Sequence, residues 1–328
     1  MPALYPLQFR PIFRDYLWGG RRLETLLGKP LGEGEHFAES WEVVDHGKDQ
    51  SVVENGPLAG TTLHELVEAS GPQLLGRHAP QPRFPLLFKF LDAQKTLSVQ
   101  VHPNDEQAAR LDPPDLGKTE AWVVLAAESG SKIYAGLKRG FDREALAREV
   151  HRGTCELCLH AFEPLPGDCV FIPAGTVHAL GAGLVVAEIQ QASDTTYRLF
   201  DWNRVDARTG QPRELHVEQG LEVIDYDRGP VDPVEPRPTD RPGVERLVEC
   251  DKFILDRWTL SDDRILVGGD GAFHLLAVIE GTAELDGPYI DGPLVTGRTV
   301  LVPAECGPLG LQARGRAVLL AVGPPLAN

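Results

Sequence analysis

The sequence predicts a mainly β protein of the sandwich or jelly-roll type with short helical insertions. Three observations carry this reading. Glycine (34) and proline (27) make up close to a fifth of the 328 residues, above the ~12% usual for soluble domains, which marks frequent turns. Many short runs rich in Val, Ile and Leu are bounded by Gly, Pro or Asp, the pattern of strands. Helical periodicity is confined to a few isolated pieces.

The expected strands are Ser51–Val53, Leu97–Val101, Trp122–Leu125, Lys132–Ala135, Cys169–Ile172, Leu184–Gln190, Ile254–Leu260, His274–Glu280, Thr299–Val302 and Ala317–Val322. The expected helices are Thr62–Leu75, Asn104–Arg110, Asp142–Val150 and Arg213–Ile224. Trp18 in DYLWGG and Trp41 in AESWE stand beside glycine-rich or acid-rich turns and read as structural anchors. Lys89 and Lys95 bracket an expected tight turn, Leu91-Asp92-Ala93-Gln94.

A chain of this length is long for one core, so two domains are expected. Gly229–Gly243 reads GPVDPVEPRPTDRPG and holds five prolines. Proline fixes φ and lacks a donor, so neither a helix nor a central strand runs through it. The division expected is residues 1–228, a Pro-rich linker at 229–243 and a smaller C-terminal domain at 244–328.

An internal echo crosses that linker. GDCVFIPAG (Gly167–Gly175) and GRTVLVPAE (Gly297–Glu305) share Gly, Val, Pro and Ala at matching positions, with Ile172 against Val302. A turn, a short strand and a second turn of this kind look like the later half of a cupin barrel, present twice. The alternative is chance similarity between two Gly/Pro-rich turns. The first copy continues into Val177-His178, the second into Pro308-Leu309. The expectation is two cupin (jelly-roll) barrels, an N-terminal one that carries function and a C-terminal one without metal ligands.

Charge and composition exclude several classes. A formal charge of −16 disfavours nucleic acid and anionic membranes as partners. No apolar run approaches ~18 residues, so no transmembrane helix is expected. The start, MPALYPLQFRPIF, lacks the layout of a signal peptide, leaving the cytoplasm as the default. Five cysteines is an odd count in a large chain, against a disulfide framework. Cys155 and Cys158 form a CxxC flanked by His151 and His160. It reads as free thiols, with a metal knuckle as the alternative.

The strongest chemical signal is SVQVHPND, Ser98–Asp105. Gln100 and His102 are two apart on a Val-rich strand, so both face one way, ~7 Å apart along the backbone, while Val99 and Val101 face the other. A metal ion would satisfy two such polar groups; a solvent-facing polar row is the plainer alternative. Glu120 in GKTEAW and His178 in PAGTVHA complete two imidazoles, one carboxylate and one amide oxygen. Such a set, without thiolate, suits Zn²⁺ and also Mn²⁺, Fe²⁺ or Co²⁺. Glu188 and Gln190 share a strand face, and Arg198 follows a polar turn, Ser193-Asp194-Thr195-Thr196. Arg198 could bind phosphate or steady negative charge, or else pair with Asp194 or Asp201. Lys89, Lys95 and Lys118 could add to a local positive patch in this acidic chain.

These segments together resemble the type I phosphomannose isomerases (mannose-6-phosphate isomerases) in their shorter bacterial form. The matching runs are DYLWGG, AESWEV, FPLLFKFLDAQKTLSVQVHPND, LGKTEAWVVL, GDCVFIPAGTVHALGAG and SDTTYRLFDW, in that order, over roughly residues 15–202. The resemblance implies one Zn²⁺ per chain held by Gln100, His102, Glu120 and His178. It implies Arg198 as the active-site arginine, Lys118 and Glu188 in the pocket, and Lys89 and Ser98 at substrate-binding positions. The stretch between Glu120 and His178 is short, so the helical domain of longer family members is absent or reduced. The implied reaction converts mannose 6-phosphate to fructose 6-phosphate and back through a cis-enediol, with a sugar phosphate as the small-molecule partner. Lys118, Glu188 and a zinc-bound water stay open as proton carriers, and the oligomeric state is not readable. The rivals are another metal-cupin enzyme and a non-catalytic sugar-phosphate sensor. Lys118 and Arg198 discriminate against the first, and retention of all four ligands against the second.

Overall fold

The computed structural model describes residues 2–205 and 210–325. The ends of the expected 1–228 and 244–328 domains at residues 1 and 326–328, and positions 206–209, lie outside the described residues. The chain is mainly β. Each of the ten expected strand segments contains a strand, and Cys169–Ile172 and Thr299–Val302 have the expected limits.

Two compact units are formed, one from residues 15–20 and 91–234, the other from residues 1–14, 21–90 and 235–328. The change of unit at 234/235 falls inside the Pro-rich stretch. The expected grouping of 1–228 differs from this division, because most of the first 90 residues belong with the C-terminal segments. Leu7 exchanges backbone bonds of 2.8 Å with Leu301, and Ala304 N donates to Leu74 O at 3.0 Å. A linker's composition marks where a chain cannot form regular structure; it carries nothing about which distant segments pair.

In the first unit, five antiparallel strands run in the order Leu159–Phe162, Ile133–Leu137, His178–Leu180, Val99–Val101 and Tyr197–Phe200. Three more, Cys169–Ile172, Glu120–Ala127 and Leu184–Gln191, pair antiparallel with Glu120–Ala127 in the middle. Side chains alternate faces along each strand. Val99, Val101, Ala179 and Leu199 pack into one apolar cluster with Leu146 and Val150 of the helix Arg143–Arg152 and Leu221 of the helix Val217–Val223. Ile133, Ala135 and Leu180 pack instead with Trp122, Val124, Val170 and Val186. The even partners of the valines, Gln100 and Arg198, therefore share their sheet face with His178 and Leu180.

The second unit holds an eight-stranded antiparallel sheet whose longest strands are His274–Leu285 and Leu309–Gly323. Its apolar core includes Trp258, Val278, Leu294, Val300, Leu311 and Leu319. Pro238 falls on a two-residue strand at the end of the strand order, where a missing N–H costs no ladder bond. The sequence echo has a local structural counterpart. Gly167 and Gly297 both take positive φ, +96° and +85°, a left-handed turn that glycine adopts without strain, and each is followed two residues on by its four-residue strand.

Several local expectations need correction. Leu91–Ala93 is no turn: the strand Leu86–Ala93 is buried at every position, and a polar Lys and Asp inside the apolar run disguised it. Trp18 and Trp41 lie within strands, Ile12–Gly20 and Phe37–Val43. The helix Arg22–Leu27 carries no clear periodic signal and ends on Gly28 in the left-handed conformation. The Asn104–Arg110 helix shortens to one turn, Asp105–Ala108, with Asn104 as its cap. Arg213–Ile224 shortens to Val217–Val223.

One buried ion pair joins separate segments of the second unit. Lys29 Nζ lies 2.6 Å from Glu42 Oε1 at 4% and 2% side-chain exposure, and Glu42 also accepts from Thr299 at 3.3 Å. Removing one partner of such a pair leaves a buried charge uncompensated. Lys29→Ala is expected to destabilise the protein by about 3–5 kcal/mol, read as a lower denaturation midpoint; an unchanged midpoint would contradict it.

Candidate metal centre and active site

Three of the expected ligands come from three different strands or their ends. Their order along the sheet follows from pairing register. His178 stands opposite Gln100, and Gln100 stands opposite Arg198 on the next strand. Directly opposed residues present side chains on the same face, so imidazole, amide and guanidinium form one row. His102 lies one residue past the strand Val99–Val101. Glu120 opens its own strand opposite Ile172 and Gln190.

The ligand atoms of His102, Glu120 and His178 all lie within 4.8 Å of one another. Each of the three is 0–1% exposed. Glu120 Oε1 is 3.2 Å from His178 Nε2 and Oε2 is 3.7 Å from His102 Nε2. Gln100 Nε2 lies 3.2 Å from His178 Nε2; a half-turn of the amide presents its oxygen to the same point.

The histidines are fixed in the form a metal needs. His178 Nδ1 meets the Thr176 carbonyl at 2.9 Å, and His102 Nδ1 meets the Thr195 carbonyl at 2.9 Å. A carbonyl only accepts, so each Nδ1 carries a proton, and each Nε2 faces Glu120. Burial pushes the His178 pKa down to about 4, with Lys118 adding to the fall and the Thr176 bond and Glu188 opposing it. His178 is therefore neutral at neutral pH. Two imidazoles, a carboxylate and an amide, with no thiolate, fit a divalent ion of the Zn²⁺, Mn²⁺, Fe²⁺ or Co²⁺ kind.

Other expected residues distribute as follows. Lys118 is 4% exposed, with Nζ 3.3 Å from both Glu120 Oε2 and His102 Nε2. Glu188 is 3% exposed, opposite Trp122 in the ladder, and accepts the Trp122 indole N–H at 3.0 Å. That indole also meets the His178 ring edge-on, centroids 5.3 Å apart. Arg198 donates from Nη1 to Glu214 O at 2.8 Å. Burial, then the nearby Arg213, draws its pKa below the ordinary guanidinium value, with Asp201 opposing. Arg198 is not ion-paired to Asp201: that carboxylate is held by Arg204 and Arg213. Ser98 is buried just before the Gln100 strand. Lys89 belongs to the second unit, where its Nζ lies 3.6 Å from Glu39 Oε2.

Sequence reasoning missed the groups that hold these side chains. Asp105 Oδ1 accepts from Gly117 N and from Gln191 Nε2, both at 2.8 Å, and Gln191 Oε1 accepts from Thr119 N at 3.0 Å. These bonds fix the segment that delivers Lys118 and Glu120. Asp105 sits in the VHPND motif, which was a signal; the carbonyls of Thr176 and Thr195 leave no trace in residue type.

The metal-knuckle alternative at the CxxC finds no support, since among the described residues the only cluster of this kind is His102, Glu120 and His178. Cys155 and Cys158 are free and buried, and burial pushes the Cys158 thiol up to about 11. Thiolate is the reactive form. At pH 8 both thiols are expected to stay unmodified by a chromogenic disulfide reagent in the folded chain, whereas the unfolded chain titrates all its cysteines. Rapid labelling of the folded pair would contradict this.

Residues 6–126 match the family described as phosphomannose isomerase type I, catalytic domain. The mannose-6-phosphate isomerase ManA of Bacillus subtilis is 37% identical over 320 residues, covering 96% of this chain and 98% of that protein. A mannose-6-phosphate isomerase of Streptococcus mutans is 34% identical over 284 residues, 85% of this chain and 86% of that one. The crystal structure of the Bacillus subtilis mannose 6-phosphate isomerase superposes with a TM-score of 0.87 at 31% identity, over 97% of this chain and 99% of that one.

Proposed function

The chain belongs to the type I phosphomannose isomerases, and from that premise we propose that it interconverts mannose 6-phosphate and fructose 6-phosphate at the His102–Glu120–His178 cluster. The observation that carries the proposal is the pair of histidines held through Nδ1 by backbone carbonyls, with both Nε2 atoms gathered on one buried carboxylate. Gln100, His102, Glu120 and His178 would hold one Zn²⁺. When bound, the ion supplies Lewis acidity toward the oxygens of the reacting carbons.

The remaining roles fall to side chains. The reaction moves a proton between C2 and C1 through a cis-enediol, which needs a base and stabilisation of negative charge on oxygen. Lys118 and Glu188 are the two buried groups beside the cluster able to carry that proton, and Trp122 orients the Glu188 carboxylate. Arg198, on the same sheet face and in the same row as Gln100, opposes the substrate's negative charge together with Lys118. The C-terminal repeat, whose core is apolar throughout, is read as a second cupin barrel with a structural role.

The first test is formation of fructose 6-phosphate from mannose 6-phosphate before and after chelation. Activity is expected to vanish with chelator and return with Zn²⁺; folded, metal-loaded protein without activity would overturn the reading. Arg198→Ala is expected to lower kcat/KM by about 10²–10³ without loss of bound metal. Full turnover in that variant would remove Arg198 from the charge-stabilising role.

A further inference from the structure

The carbonyl bonds that fix the two histidines differ in origin. The Thr176 carbonyl that fixes His178 is two residues away on the same turn, so the His178 tautomer is a local matter. The Thr195 carbonyl that fixes His102 is 93 residues away. It lies on the segment between the strands Leu184–Gln191 and Tyr197–Phe200, outside any strand ladder. A ligand orientation that relies on such a segment depends on what holds the segment.

The hold comes largely from one carboxylate. Asp115 Oδ2 accepts from Ser193 Oγ at 2.8 Å and from Thr195 Oγ1 at 2.9 Å. The Ser193 hydroxyl oxygen in turn accepts from Thr195 N at 3.3 Å, and Gln190 Nε2 donates to Ser193 O at 2.6 Å. Asp115 is itself anchored by its backbone N–H to Ala108 O at 3.1 Å, at the end of the helical turn that follows His102. Two hydroxyls converging on one carboxylate oxygen are charge-assisted and geometrically specific.

We infer that Asp115 is a positioning residue for His102, acting through the Ser193 and Thr195 hydroxyls on the Thr195 carbonyl. This rests on the reading of the cluster as a metal centre. Groups that orient a metal-bound histidine through its far nitrogen typically change metal affinity by about 10–100-fold when removed. Asp115 is not one of the residues of the His102–Glu120–His178 cluster, so its loss acts on ligand geometry and not on the chemistry itself.

The test is Zn²⁺ affinity, measured on the full chain by competition with a chromogenic chelator. Asp115→Ala is expected to bind Zn²⁺ about 10–100-fold more weakly than the parent. Ser193→Ala/Thr195→Val, which keeps the carboxylate and removes its two donors, is expected to show the same loss. The triple variant should be no weaker than either, because one interaction is broken in all three. Parent-like affinity in folded Asp115→Ala overturns the inference. Should that variant fail to fold, parent-like affinity in Ser193→Ala/Thr195→Val overturns it instead. A parent chain that binds no divalent ion at all defeats the metal-centre reading and this inference with it, which separates the two failures.

Discussion

A carboxylate taken out of water must be matched by positive charge or by donors, since burying it alone costs far more than a protein's net stability. Glu120, at 1% exposure, is the point where this constraint bears on the first unit. Both neighbouring imidazoles turn their Nε2 atoms toward it. The balancing cation in the chain itself is Lys118, 3.3 Å away, two residues earlier on the same segment. The arrangement is therefore a carboxylate, an ammonium side chain, two imidazoles and an amide, collected in a water-poor place. That is the composition of a site ready to take a divalent ion and an anionic ligand.

The β framework makes the collection possible by sorting side chains at period two. Valines at 99 and 101 are absorbed by the cluster under the helices Arg143–Arg152 and Val217–Val223, which leaves Gln100 with no choice of face. The same alternation delivers Arg198 between Tyr197 and Leu199. On the opposing strands Trp122 and Val124 continue inward from Glu120, joined by Val170 and Val186. One end of the interior is thus apolar and rigid, and the other holds the polar set. In the second unit the related turn–strand motif leads into a core of Val300, Val302, Leu311 and Leu319. The local shape recurs there, while among the described residues the one cluster of possible ligands lies in the first unit.

Much of this was legible in the chain. Strand positions followed from Val-rich runs between turn residues, and two strands have the limits read from sequence. His102, Glu120 and His178, with Gln100 and Lys118 beside them, were legible because VQVHPND, GKTE and GTVH place polar residues in an apolar context where burial would otherwise be costly. What stayed hidden shares a physical cause. The strand Leu86–Ala93 is buried on both faces and so lacks the alternation that identifies half-buried strands. The grouping of the first 90 residues with the C-terminal segments rests on backbone pairing, such as Leu7 with Leu301, which is blind to side-chain type. The bonds from Ser193 to Asp115 and from Gln191 to Asp105 join residues 78 and 86 positions apart.

The sequence by itself determined the class of the fold, the chemistry of the donor set and the family to which the chain belongs, because those depend on residue type and short-range spacing. Only the tertiary structure decided which nitrogen of each histidine faces inward, which carboxylate holds the loop behind His102, and that Lys89 pairs with Glu39. Those outcomes depend on where backbone carbonyls and distant side chains arrive when strands pair in register. Register is a property of the whole sheet, and no local stretch of sequence encodes it.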